Sequence, residues 1–114
     1  MENVNRLCKQ ILSYLIEENY LQLEKDGALK RVTSNDIQRV LYEYDKDGKL
    51  TMQNDEYFVS ENIYVCEYDD KSGYHVDIDL WINGRKTDLI LQIDIKINSK
   101  GDIIGYQIDD IRVL

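Results

Sequence analysis

The chain has 114 residues, with 22 acidic and 14 basic side chains, a net charge of -8 and no proline. This length is that of one domain that folds without disulfides or metals, and the negative charge disfavours nucleic acid and anionic membranes as partners while allowing a basic protein. The N-terminus lacks the features of a secretory signal, and no apolar run approaches the about 18 residues of a membrane span. We therefore expect a soluble cytoplasmic protein, one domain over residues 1–114, without a cofactor.

The first stretch of the chain predicts an amphipathic helix. From Val4 to Ile16 the apolar residues recur in steps of three and one, and the remaining positions are polar. The segment EENYLQLEKDG either continues this helix or forms a short second one, and Gly27 supplies the ending. We expect helical structure over roughly 3–25.

A separate helix is predicted over roughly 33–44. Thr33 is an N-cap residue, and Asp36 occupies the third helical position, where a carboxylate favours the positive helix end. Apolar residues then recur at helical spacing as far as Tyr44, after which the turn sequence DKDG ends the helix.

The segment after this helix has weak periodicity. Residues 43–51 resemble the first nine positions of an EF-hand loop, but Asn54 stands at the twelfth position, where a bidentate glutamate is expected. We therefore expect a turn, not a calcium site. Short strands are suggested at Leu50–Met52 and Tyr57–Val59.

The second half of the chain predicts an antiparallel sheet over roughly 63–113. Alternating apolar residues and turn sequences define four strands that follow one another as a meander. The fold is then α+β, with two or three N-terminal helices packed on a four-stranded antiparallel meander. The four strands are Ile63–Tyr68, Tyr74–Ile82, Asp88–Ile97 and Ile103–Val113.

Two details of the sheet stay open at this stage. Around the Asn83-Gly84 turn, Ile82 pairs either with Leu89 or, across a tighter turn, with Arg85. In the last strand Ile111 has the opposite parity to Ile108, so either a bulge at Asp109-Asp110 changes the register or both faces are partly covered. Both turn registers oppose like charges, Asp77 to Asp94 in the first and Asp79 to Asp88 in the second.

The face of the hairpin opposite the predicted core combines carboxylates with large apolar side chains. Carboxylates clustered without Lys or Arg attract cations from outside, and a Trp ringed by acids is typical of an acidic inhibitor of a basic protein. The structural alternative is that Trp81 lies under a helix or loop of the same chain. The candidate partner-binding residues are Asp77, Asp79, Trp81, Asp88, Ile90 and Asp94.

Other chemistry has weak support in the sequence. His75 and Asp77 share a strand face and would suit a general base with its orienting acid, and nearby carboxylates would suit a divalent metal. Acidic residues at alternate positions of a strand more commonly form the solvent-exposed face of a sheet, so we expect no catalytic residue and no metal site. Cys8 and Cys66 have no metal-ligand spacing and are expected to be free, buried thiols.

Several segments together resemble small acidic bacterial immunity proteins of contact-dependent growth inhibition and other polymorphic toxin systems. These segments are the helical first third, the run DIDLW at 77–81, the strand from Asp88 to Ile95 and the ending IDDIRVL at 108–114. The resemblance covers most of the chain, and it implies no catalytic site. It implies a protein that neutralises a cognate toxin, often a basic nuclease, by binding over its active site or substrate surface.

The expected function is therefore that of a non-enzymatic protein that binds a basic toxin domain. The alternative is an NTF2-like or cystatin-like domain with a pocket between helix and sheet, which binds or converts a small molecule with His75 and Asp77 as its acid/base pair. A homodimer through the face that carries Trp81 and Ile90 is a third hypothesis.

Overall fold

The computed structural model describes residues 2–59 and 63–114. It confirms an α+β fold in which helices come first and an open antiparallel sheet follows. The elements are α1 (Glu2–Ile16), α2 (Tyr20–Lys25), α3 (Ser34–Tyr44), β1 (Leu50–Thr51), α4 (Asp55–Val59), β2 (Tyr64–Glu67), β3 (Gly73–Ile82), β4 (Arg85–Ile97) and β5 (Ile103–Val113).

Helix α1 packs its apolar stripe on one face of the sheet, as its spacing predicted. That stripe includes Cys8, Ile11 and Leu15, which are buried in one cluster with the inward-facing residues of β3 and β4. The segment after α1 is a separate helix, α2, and Gly27 follows it with φ of +77°. None of the helices among the described residues is long and apolar enough to cross a membrane.

Helix α3 begins at the predicted cap. The Asp36 N–H donates to Thr33 Oγ1 at 3.1 Å, and the Thr33 N–H donates to Asp36 Oδ2 at 3.0 Å. This reciprocal pair is a capping box, which satisfies donors that the first helical turn leaves open. The pair of bonds holds Asp36 as a carboxylate and so lowers its pKa.

The strands follow the order β1-β3-β4-β5, and β2 also pairs with β3. All four predicted meander strands are present, and the short strand β1 is confirmed at Leu50–Thr51. The strand predicted at Tyr57–Val59 is wrong, because this segment belongs to α4. Asn54 explains the helix: its Oδ1 accepts the Tyr57 N–H at 3.0 Å, as an N-terminal cap does, and acidic residues fill the first turn.

The β3–β4 hairpin uses the tighter of the two turns. Asn83 and Gly84 have φ of 52° and 77°, which suits a two-residue hairpin turn. Beyond the turn the register shifts, because the Thr87 hydroxyl donates to the Leu80 carbonyl at 2.7 Å and accepts the Leu89 N–H. Both expectations of opposed carboxylates are therefore wrong; the pairs are Trp81 with Lys86, Asp79 with Ile90, Asp77 with Gln92 and His75 with Asp94.

Strand β5 contains the predicted bulge. Gln92 pairs with Asp110 while the next residue, Ile93, pairs with Ile108, so Asp109 has no partner in the ladder. The bulge returns Ile111 to the core face, where it is buried. A second shift near the start of the strand skips Ile104, which is 62% exposed.

Candidate protein-binding surface

The outer face of the sheet is the face turned away from α1. It carries the alternate residues of β3 and β4 that were predicted to bind a partner, together with His75 and Gln92. A hydrogen-bonded network covers its centre, and most of the carboxylates in it are only partly exposed.

Asp94 is the best-bonded carboxylate of this face. Its Oδ1 accepts the Tyr68 hydroxyl at 2.8 Å, and its Oδ2 accepts Arg31 Nη1 at 3.0 Å. Arg31 lies between α2 and α3, and the same guanidinium nitrogen also bonds Asp109 at the β5 bulge. Burial and the Asp94 carboxylate raise the pKa of Tyr68 to about 12, so its hydroxyl remains a donor at neutral pH.

His75 lies between carboxylates of two strands. Its Nε2 is 2.7 Å from Asp77 Oδ1, and its Nδ1 is 4.0 Å from Asp109 Oδ2. Gln92 Nε2 donates to the same Asp77 oxygen at 3.2 Å. Both ring nitrogens thus have an acidic neighbour, and the histidine joins β3 to the β5 bulge.

Asp79 and Trp81 are tied to α4 and to the turn. Asp79 Oδ2 lies 3.2 Å from the Tyr57 hydroxyl and 3.6 Å from Lys86 Nζ. The Trp81 ring packs edge-on against the Tyr57 ring, with centroids 6.1 Å apart. Burial raises the pKa of Tyr57 far above its ordinary range, so this hydroxyl is neutral. Trp81 is therefore partly covered by a helix of its own chain.

The two remaining candidate residues are also engaged within the protein. Ile90 is buried, with 5% of its surface exposed. Asp88 lies at the irregular part of β4, where it accepts a hydrogen bond from the Tyr44 hydroxyl of α3. The structure therefore brings Asp77 and Asp94 into one network, and it holds Asp88 against a helix.

The expectation that these carboxylates lack nearby cations is wrong. Arg31 neutralises Asp94 and Asp109, and Lys86 lies beside Asp79. Arg31 is 63 residues from Asp94 in sequence, so no local pattern predicted the contact. Paired carboxylates attract external cations less strongly than free ones do, because part of their charge is already balanced.

A more accessible aromatic residue lies at the edge of the same face. Tyr64, on β2, pairs with Asp77 and is 57% exposed. Cys66, two residues on, is also exposed, so the expectation of two buried thiols is wrong for Cys66 and confirmed for Cys8. Burial raises the pKa of Cys8 to about 12. Pairing with Asp77 places Tyr64 on the outer face, and its exposure depends on β2 being an edge strand.

Further acidic residues lie at the other end of β2, toward the hairpin loop that joins it to β3. Glu67 ends β2, Asp69 and Asp70 follow in the hairpin loop, and Lys71 is a local cation, 3.8 Å from Glu67. Asp69 and Asp70 are exposed. We call Tyr64, Glu67, Asp69, Asp70 and Asp77 the Tyr64 surface.

A family model matches residues 12–114, which is most of the chain and includes the whole sheet. Its description is "Domain of unknown function (DUF7668)". The chain belongs to this family. No curated protein and no solved structure matches the chain.

The matched region of the family also contains most of an open groove on the helical side of the molecule. The groove has a volume of about 740 Å³ and lies between the end of α1, α3 and β1. His75 and Asp77 are not among its lining residues, since both belong to the outer face. Its apolar lining comprises Leu15, Ile16, Tyr20, Leu41, Leu50 and Ile82, and Arg39, Lys46 and Lys49 contribute cations.

No group of three or more His, Cys, Asp or Glu side chains within residues 2–59 and 63–114 has an arrangement that would hold a metal ion. His75, Asp77 and Asp109 come closest to one another on the outer face, and their oxygens and nitrogens are bonded among themselves and to Gln92 and Arg31. These bonds hold the side chains in place, so the arrangement forms a polar surface of fixed shape.

Proposed function

We propose that this chain is a non-enzymatic binding protein that acts in the bacterial cytoplasm as an immunity protein, neutralising a basic cognate toxin such as a nuclease. The observation that carries the proposal is the exposure of Tyr64 on an edge strand, directly across from the Asp77 carboxylate. Exposed tyrosines supply large contact area at low entropic cost and are enriched among residues that dominate binding energy.

The charge of the molecule supports the same function. The net charge of -8 steers a basic partner toward the protein and raises the association rate at low salt. Glu67, Asp69 and Asp70 place part of that charge at the end of β2 opposite Tyr64. The proposed contact is therefore the Tyr64 surface.

The proposal predicts a toxin domain encoded immediately upstream of this gene, and the test is binding to that domain, purified as an inactive variant. We expect a one-to-one complex whose association rate falls as salt rises. Tyr64→Ala should weaken binding by about 2 kcal/mol, or roughly thirtyfold. Tyr42→Ala is the matched control, because Tyr42 is 59% exposed but lies on α3.

Two results would contradict the proposal. A wild-type protein that does not bind or inhibit the upstream toxin domain refutes the immunity role. If Tyr64→Ala and Tyr42→Ala weaken binding equally, the complex exists but the Tyr64 surface is not its contact.

The groove on the helical side favours a second candidate function, the binding of a small molecule. Its volume of about 740 Å³ lies in the range of ligand sites, and apolar side chains form much of its lining. Leu41→Glu would place a negative charge in the groove and should abolish binding of the amphipathic, anionic fluorescent probe ANS. Unchanged ANS fluorescence in this variant argues against the groove as a ligand site.

A further inference from the structure

The hydrogen bonds of β2 leave one side of the strand open. The Tyr68 N–H donates to the Gly73 carbonyl at 3.0 Å, and the regular pairing of β2 with β3 continues from there. Because hydrogen-bonded and non-bonded pairs alternate in an antiparallel ladder, Tyr64 and Cys66 also point their backbone groups toward β3. Val65 and Glu67 point theirs away from the sheet.

Within the part of the chain that the structure describes, no backbone group bonds these outward positions. The Glu67 carbonyl has a weak contact with Cys66 Sγ at 3.7 Å. Exposed backbone donors and acceptors along a strand are a template for pairing with another chain.

Along the other edge positions of the sheet, groups of the same chain already bond the backbone. Strands β1 and β2 both pair with the same edge of β3. On the part of that edge between them, the Asp79 N–H donates to the Tyr57 hydroxyl at 2.9 Å, and the Asp79 carbonyl accepts the Gln53 side chain. Strand β1 has two residues. These contacts block the β3 edge outside β2.

Strand β5 is also protected. Its Ile108 N–H donates to the Ala28 carbonyl at 3.0 Å, and its Ile111 N–H donates to the adjacent Asp110 side chain at 2.9 Å. Two register shifts interrupt its ladder. Bulges and local side-chain bonds of this kind prevent edge pairing. Among the described strands, β2 is therefore the regular edge with free outward groups.

We propose that β2 accepts an extended segment of a basic protein as an added strand. The outward groups of Val65 and Glu67 would form the backbone ladder. Partner side chains on the outer face would meet Tyr64, and those on the other face and at the hairpin end would meet Glu67, Asp69 and Asp70. Cationic side chains fit there because Glu67, Asp69 and Asp70 outnumber the local cation, Lys71. This inference specifies how the proposed toxin would bind, and it rests on that function for the partner's identity.

A proline substitution tests the outward edge of β2 without removing a hydrogen bond between β2 and β3. Val65→Pro removes the outward N–H and adds a ring at the edge, whereas the bonds from β2 to β3 do not use that N–H. Val65→Ala is the matched control, since it shortens the same side chain and keeps the N–H. The backbone amide spectrum of each variant reports whether the sheet is intact.

The probe is a heptapeptide of alternating lysine and valine, with the glutamate and valine analogue as the charge control. On titration of the full chain we expect shifts and slowed hydrogen exchange at the Val65 and Glu67 amides, with the Cys66 amide little changed because it already bonds β3. Val65→Pro should weaken binding at least about tenfold, and Val65→Ala much less. The glutamate peptide should not bind.

Three results overturn the inference: no binding of the lysine peptide, binding without protection of the Val65 and Glu67 amides, or equal affinity of Val65→Pro and wild type. The amide protection is measured on the wild-type chain, so it stands even where the proline variant does not fold. If a toxin domain binds Val65→Pro as tightly as wild type, strand addition is refuted but the proposed function is not. Failure of the toxin to bind wild type refutes the proposed function.

Discussion

Replacing Arg31 with methionine should destabilise the protein by about 1–2 kcal/mol, because the substitution removes the cation shared by two carboxylates of the outer face. Asp94 is the more buried partner, with 16% of its side chain exposed, and Arg31 itself is 49% exposed. Bonds to charged groups contribute about 1.5–3 kcal/mol when buried and about 0.2–1 kcal/mol when exposed, so two bonds of intermediate exposure give the stated value. Methionine keeps much of the aliphatic stem, which limits losses from packing.

The assay is urea unfolding followed by circular dichroism, with Arg39→Met as the matched control. Arg39 pairs with Asp36 at 3.4 Å, but 63% of its side chain is exposed, so its loss should have a much smaller effect. Combining Arg31→Met with Asp94→Asn should give a coupling free energy of about 1 kcal/mol. Equal losses for the two arginine variants, or purely additive effects in the double variant, would show that Arg31 does not hold the outer face together.

Three further outcomes are expected in solution. Gly73→Ala should cost at least about 2 kcal/mol or prevent folding, since its Cβ would lie 1.8 Å from a backbone carbonyl oxygen of β4. Gly105→Ala, with nothing within 4 Å, should leave the urea midpoint nearly unchanged. Ellman's reagent should label Cys66 quickly in the folded protein and Cys8 only after urea unfolding, because Cys8 is fully buried; two fast thiols would contradict this. Thr33→Ala should lower stability by about 1 kcal/mol through loss of the helix cap, and an unchanged thermal midpoint would contradict that.

The sequence predicted the helices and the four main strands because their signals are local. The three-and-one spacing from Val4 to Ile16, the cap at Thr33 and the Asn83-Gly84 turn act through neighbouring residues, and neighbours are visible in the sequence. The helix α4 was missed because its signal is short and Tyr57–Val59 also has strand-like composition.

The sequence also placed the partner-binding candidates on one face of the sheet, and that parity is confirmed for Asp77, Asp79 and Trp81 of β3. Their surroundings were not predictable. A shift of register between Asp79 and Trp81 exchanged opposed carboxylates for neutral or oppositely charged pairs, and local spacing does not reveal a bulge of that kind.

By itself, then, the sequence determined the fold class, the position of α1 and α3, the bulge options in β5 and the parity of the residues along β3 and β4, since all of these follow from short-range periodicity and turn chemistry. Only the tertiary structure decided that Arg31 neutralises Asp94, that α4 covers Trp81 and that Tyr64 lies exposed at an edge. The physical reason is that pairing, covering and exposure depend on residues that are distant in the chain and meet only when the sheet has formed.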